Sequence, residues 1–151
     1  MTDARRAGSL TAAWGLVVLV FAVVPTHDAL SSTVGEREDL TTEIGHFAEF
    51  AVLAALAMWW VTEWRRARPG RGVDRGAQPG EADAPWIVTA VTVWTATVAY
   101  GALIEAIQAP LGYRSAQVGD LALDAAGALI GLLAFSCVRV VRARARRARG
   151  R

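Results

Sequence analysis

The sequence predicts an all-α, polytopic membrane protein with four transmembrane helices and both termini in the cytoplasm. Three observations predict it. Hydrophobic residues make up 54% of the 151-residue chain. Charged residues are only 20%, and they gather in a few blocks between stretches that hold almost none. Four of those stretches are apolar over a length close to, or beyond, the ~20 residues needed to cross a bilayer. The same composition excludes a disordered chain, a collagen and a disulfide scaffold. The one cysteine, Cys137, has no internal partner and fits no metal-ligand spacing. All 16 basic residues are arginine, and a net charge of +2 is too small a surplus to argue for a nucleic-acid partner.

The first span covers about residues 10–25, from Leu10 to Pro25. Arg5 and Arg6 precede it as they would precede a signal peptide, but the exit reads Val23-Val24-Pro25-Thr26-His27, with no small-x-small cleavage pattern. We read it as a retained helix. The second span covers about 42–62, the third 86–109 and the fourth 118–140, and each is long enough to cross outright. Residues 65–85, rich in Arg, Gly and Pro, form an aperiodic linker expected to be mobile. Residues 142–151 are a basic tail. No internal repeat or pair of broken helices of the transporter kind is visible.

Arginine placement sets the orientation. The N-terminus holds Arg5 and Arg6, the central linker five arginines and the tail from Arg139 seven, whereas the other two loops hold Arg37 and Arg114 alone. Cytoplasmic loops are enriched in Lys and Arg, so both termini and the linker belong inside. The tail is expected to retain that orientation and to touch anionic lipid headgroups. Trp59, Trp60, Trp64 and Trp86 then stand at the inner interface as an aromatic belt. Glu36, Glu38, Asp39 and Glu43 read as a solvated outer loop, to which His27 also belongs.

Ionisable groups inside spans are costly and are therefore candidates for function. Here they share one depth. His46 and Glu49 lie one to two turns into the second span from its outer end. Glu105 and Gln108 close the third span, Asp120 and Asp124 open the fourth, and Arg114 lies in the short outer loop between them. Gly101, Glu105 and Gln108 share one helical face by their i, i+4, i+7 spacing, as do Asp120, Asp124, Gly127 and Gly131. Gly127 through Gly131 is a GxxxG, which lets helix backbones approach closely. Individually these residues have ordinary explanations: a helix cap for Asp120, a packed histidine for His46. Their joint placement points to a polar pocket at the outer leaflet. The carboxylates Glu49, Glu105, Asp120 and Asp124 outnumber Arg114 and His46, so a shared proton, a bound cation or a cationic ligand group is expected to offset them.

These residues also form a known pattern. Gly45-His46-Phe47-Ala48-Glu49-Phe50 resembles the His-Phe-x-x-aromatic segment of the VanZ-like family of small bacterial membrane proteins. Tyr100-Gly101-Ala102-Leu103-Ile104-Glu105-Ala106-Ile107-Gln108 is similar to its Tyr…Glu-x-x-Gln helix. Arg114, Asp120, Asp124, Gly127 and Gly131 resemble its Arg-x5-Asp-x3-Asn/Asp-x2-Gly-x3-Gly run. The loop Ala109-Pro110-Leu111-Gly112-Tyr113 departs from the Pro-Gly that often precedes that arginine. The resemblance implies a multi-pass protein of the bacterial plasma membrane with an envelope role. The family's namesake is associated with low-level resistance to the glycopeptide teicoplanin.

The expected function is binding or protection of an amphiphilic envelope component: a membrane lipid, a lipid-linked precursor or a glycopeptide. Its ligand contacts would be His46, Glu49, Tyr100, Glu105, Gln108, Arg114, Asp120 and Asp124, with Gly127 and Gly131 structural. One alternative is an intramembrane enzyme using His46, Glu49, Glu105 and Asp124 for acid–base or metal-dependent chemistry. Another is a small cation- or proton-coupled transporter, for which this length calls for a homo-oligomer.

Overall fold

The structure, a computed structural model, describes residues 2–23, 38–67, 84–111 and 118–150. They form α1 (Thr2–Val23), α2 (Glu38–Ala67), α3 (Ala84–Gln108) and α4 (Val118–Arg149), with one 3-10 turn over Ala109–Leu111. All four α-helices are long and apolar enough to cross a membrane, and no strand occurs among the described residues. The chain is an all-α, multi-pass membrane protein.

The helices are longer than the apolar stretches that announce them. At about 1.5 Å per residue, the 30 residues of α2 and the 32 of α4 outreach a hydrocarbon core of about 30 Å. Helix α1 takes in Arg5 and Arg6. Helix α2 continues to Ala67 and so absorbs the start of the 65–85 linker, the rest of which lies mostly outside the described residues. The basic tail is helical through Arg149, because Ala and Arg are both strong helix formers and basic residues favour a helix C-terminus. Pro85 fits the first turn of α3, where its missing N–H costs nothing. Pro110 ends that helix at the other side, since the residue before a proline avoids the α conformation.

Helix α2 touches the other three helices, and so does α3, whereas α1 and α4 share no contact among the described residues. The bundle is therefore a rhombus with α2 and α3 across its short diagonal. Contacts rise together along α2 and α4 (Phe47 with Gly127, Ala51 with Gly131), so these two run parallel. Tyr100 and Gln108 likewise meet Gly15 and Ala22 in order, so α1 and α3 run parallel. Trp86 meets Phe135 while Gly101 meets Asp124, which makes α3 antiparallel to α4. The ends of the bundle consequently differ. One carries Arg5, Arg6, Arg65, Arg66 and the arginines of α4; the other carries His46, Gln108, Asp120 and Asp124.

Inside a bilayer the lipid is as apolar as a leucine side chain, so close packing and interhelical hydrogen bonds hold helices together. The chain uses both. Ala54, Met58, Val93, Ala128 and Leu132 pack at the arginine-rich half, flanked by Trp86, Trp94 and Phe135. Val18, Ala22, Phe50 and Ile104 pack at the acidic half, with Trp14 and Tyr100 against them. Leu16, Phe21, Ile87, Val88, Leu103 and Leu133 point outward and are exposed, as a lipid-facing surface requires.

Among the described residues, side chains donate across helices to backbone carbonyls. Trp14 Nε1 reaches the Glu49 carbonyl at 3.0 Å, Trp94 Nε1 that of Ala125 at 3.0 Å, Tyr100 Oη that of Gly15 at 2.6 Å, and Gln108 Nε2 that of Ala22 at 2.7 Å. The bonds of Trp14, Tyr100 and Gln108 tie down α1. Ala22 stands in the last turn of α1, where carbonyls have no helical partner, so Gln108 satisfies an oxygen that lipid cannot. Such bonds average about 0.6 kcal/mol each in membranes, enough together to hold a helix that α4 never touches.

Candidate functional site

The site is built where α2, α3 and α4 meet, about one to two turns from the acidic end. Its centre is a pair. His46 Nδ1 lies 3.4 Å from Asp124 Oδ1, and the two side chains are 10% and 2% exposed. At that distance the contact is longer than a well-formed hydrogen bond, and it becomes an ion pair whenever the imidazole is protonated. Both of these atoms are fully shielded from solvent. The pair joins residues 78 positions apart in the chain.

Each neighbour of the pair has a visible reason for its identity. At Gly101 on α3, a Cβ would sit 2.5 Å from Asp124 Oδ2 and 3.1 Å from Phe50 Cε1. Only glycine leaves that carboxylate its place. Phe50 is fully buried one turn below His46 and stacks obliquely on Tyr100, with ring centroids 6.5 Å apart. The aromatic floor thus begins directly under the polar pair. On the fourth helix, Gly127 and Gly131 follow Asp124 at three and seven residues. A Cβ at either would fall closer than 3.0 Å to the carbonyl oxygen of Phe47 or of Ala51. The two glycines bring α4 onto the backbone of α2, and this approach is what sets Asp124 against His46.

The other expected contacts separate into groups. Glu105 is half-buried one turn beyond Gly101, and its Oε2 is fully shielded. Asp120 is half-buried one turn before Asp124 on the same face of α4. Glu49 is half-buried, and its backbone carbonyl accepts the Trp14 indole N–H. Tyr100 and Gln108, also expected as ligand contacts, donate from Oη and Nε2 to carbonyls of α1 and so join α3 to that helix. Arg114 and His27 lie outside the described residues. Trp14, Trp94 and the packing role of Phe50 were not singled out from the sequence. The available signal was that a buried indole N–H has to find an acceptor.

Chemically, the arrangement offers a buried imidazole–carboxylate pair with further carboxylates one turn nearer the acidic end. Among the described residues no group of three or more His, Cys, Asp or Glu comes together to hold a metal ion. The pair brings one possible proton acceptor and one possible donor within 3.4 Å of each other.

The sequence model of the VanZ/LLP1 family matches residues 8–139, which takes in α2 and α3, most of α1 and α4, and every site residue above. No curated protein and no solved structure matches the chain.

Proposed function

The chain belongs to the VanZ/LLP1 family, and from that premise we propose that it binds or protects an amphiphilic component of the bacterial envelope through a polar pocket at the outer leaflet. One observation carries this reading: the buried His46–Asp124 pair lies at the end of the bundle opposite the arginines. By the positive-inside rule the arginine-rich end faces the cytoplasm of a plasma-membrane protein, so the pair faces outward. A ligand at that depth has its polar head among His46, Asp124, Glu105 and Asp120 and its apolar part along the bundle. Lipid-linked wall precursors and an acylated glycopeptide such as teicoplanin both have that shape. Arg114, which falls between α3 and α4 in the sequence, would be the positive charge for an anionic group, and a cation or a ligand amine suits the carboxylates.

A second reading rests on the same pair. A carboxylate beside an imidazole is the arrangement that orients a general base, and His46 Nδ1 is the nitrogen turned to Asp124. Acid–base chemistry on a lipid-linked substrate would then run through Nε2.

Location is tested by labelling. In a Cys137→Ser background, Gly76→Cys and Gly150→Cys are expected to be protected from an impermeant thiol reagent in intact cells, and Ser32→Cys to react. Reaction at Gly76→Cys reverses the orientation and moves the pocket to the inner leaflet. Ligand class is tested by growth. Expression in a teicoplanin-susceptible host is expected to raise the inhibitory concentration several-fold, with no change for a glycopeptide that lacks an acyl chain. Unchanged teicoplanin susceptibility removes the glycopeptide and leaves the lipid-linked precursor.

A further inference from the structure

The end of the bundle remote from the His46–Asp124 pair holds a cavity of about 430 Å³ between the last turns of α2 and the extension of α4. Its apolar wall is Trp59, Phe135 and Val138. Its basic wall is Arg66 from α2 with Arg139, Arg142 and Arg146 from α4. The α4 residues recur at 135, 139, 142 and 146, the spacing of a single helical face. All of them look into the same groove.

The charges are not equivalent. Arg66 is paired with Glu63, the one acid on the wall. Arg139 lies over the Trp86 ring at 4.1 Å, a cation–π contact, and Trp86 in turn stacks on Phe135. That stack fixes the guanidinium at the lip of the groove. Arg142 and Arg146, one and two turns further on, face the cavity with no acid of their own on the wall. Arg144, Arg147 and Arg149 lie on the same helix but do not line it.

Depth identifies the occupant. Arg139 is 20 residues along α4 from Gly119, a rise of about 30 Å, or one hydrocarbon thickness. The apolar wall therefore lies at the level of acyl chains, and Arg142 and Arg146 at the level of lipid phosphates. Val138 is itself exposed, so the groove has an accessible apolar flank at that depth. We propose that this groove is a binding site for one anionic phospholipid, with its phosphate on Arg142 and Arg146 and an acyl chain along Phe135 and Val138. The inference uses none of the residues of the outward pocket and stands apart from it.

The test uses the purified full-length chain in neutral detergent and reads thermal unfolding as lipid is added. Dioleoyl-phosphatidylglycerol is expected to raise the unfolding temperature; dioleoyl-phosphatidylcholine and inorganic phosphate are not. The double variant Arg142→Gln/Arg146→Gln is expected to bind the phosphatidylglycerol about thirtyfold more weakly, from about 1 kcal/mol per arginine. The double variant Arg144→Gln/Arg147→Gln removes the same charge from the same helix and is expected to bind as the parent does. Equal loss in both variants would mean diffuse attraction to the tail and overturns the site. Stabilisation by phosphatidylcholine equal to that by phosphatidylglycerol overturns recognition of the anion. Stabilisation by inorganic phosphate alone to the same extent overturns the lipid as occupant.

Discussion

Gly131→Ala is expected to destabilise the protein, although the same exchange inside an ordinary helix gains about 1 kcal/mol. The added methyl at residue 131 would fall onto the Ala51 carbonyl oxygen, and at residue 127 onto that of Phe47. Both obstacles are backbone, so no rotamer change relieves them and α4 must move away from α2. Overpacking in a tight core costs about 1–3 kcal/mol, and a larger residue such as Val costs more. Gly45→Ala supplies the comparison. Gly45 lies within α2 with nothing within 4 Å of its would-be Cβ, so that exchange is expected to be neutral or stabilising. Thermal unfolding in detergent decides. If Gly131→Ala and Gly45→Ala shift the midpoint alike, the α2–α4 contact is not close-packed.

The second large effect belongs to the buried pair. His46→Leu leaves the Asp124 carboxylate buried without its imidazole, and breaking a buried pair from one side costs roughly 3–5 kcal/mol. Asp124→Ala has the milder consequence, because a neutral imidazole remains. The double change His46→Leu/Asp124→Ala is expected to recover part of the loss, with a coupling of about 1–3 kcal/mol in the cycle. Activity should not follow stability. In the reading proposed above, both single variants and the double variant lose the growth phenotype, whereas a purely structural pair would let phenotype return with stability. The two measurements on the same four proteins distinguish a site from a strut. Additive losses of stability would show that the two residues act independently.

Much of this architecture is legible in the sequence because hydropathy reports the membrane directly. The four spans and the common depth of His46, Glu105, Asp120 and Asp124 follow from counting residues. The helix ends do not. Hydropathy falls where the bilayer stops, but a helix continues as long as its backbone bonds are satisfied, and Ala-Arg sequence such as residues 142–149 satisfies them in water. The two glycines of α4 and their shared face with Asp124 are also legible, since spacing alone aligns them. The partner of that face is not. It is the backbone of Phe47 and Ala51, and a carbonyl oxygen leaves no trace in residue identity. The same reason hides the anchors of α1. Tyr100 and Gln108 donate to the carbonyls of Gly15 and Ala22, and nothing in the identity of those two acceptors marks them. Trp14 and Trp94 were invisible for that reason too.

The parallel seam of α2 and α4 has a consequence for how the protein is made. Phe47 and Ala51 leave the ribosome about 80 residues before Gly127 and Gly131. At about 5–20 residues per second, that interval lasts roughly 4–16 s. Throughout it the flank of α2 that α4 later covers, which bears His46, lacks that cover, with α1 and then also α3 as its helical neighbours. A polar side chain facing hydrocarbon is costly, so the nascent three-helix form carries a marker that the finished one hides. Chains that stall before α4 keep that marker on display to whatever surveys the membrane for incomplete products. Helix α4 both seals the flank of α2 and creates the His46–Asp124 pair, so a chain that has not yet made α4 cannot form that pair.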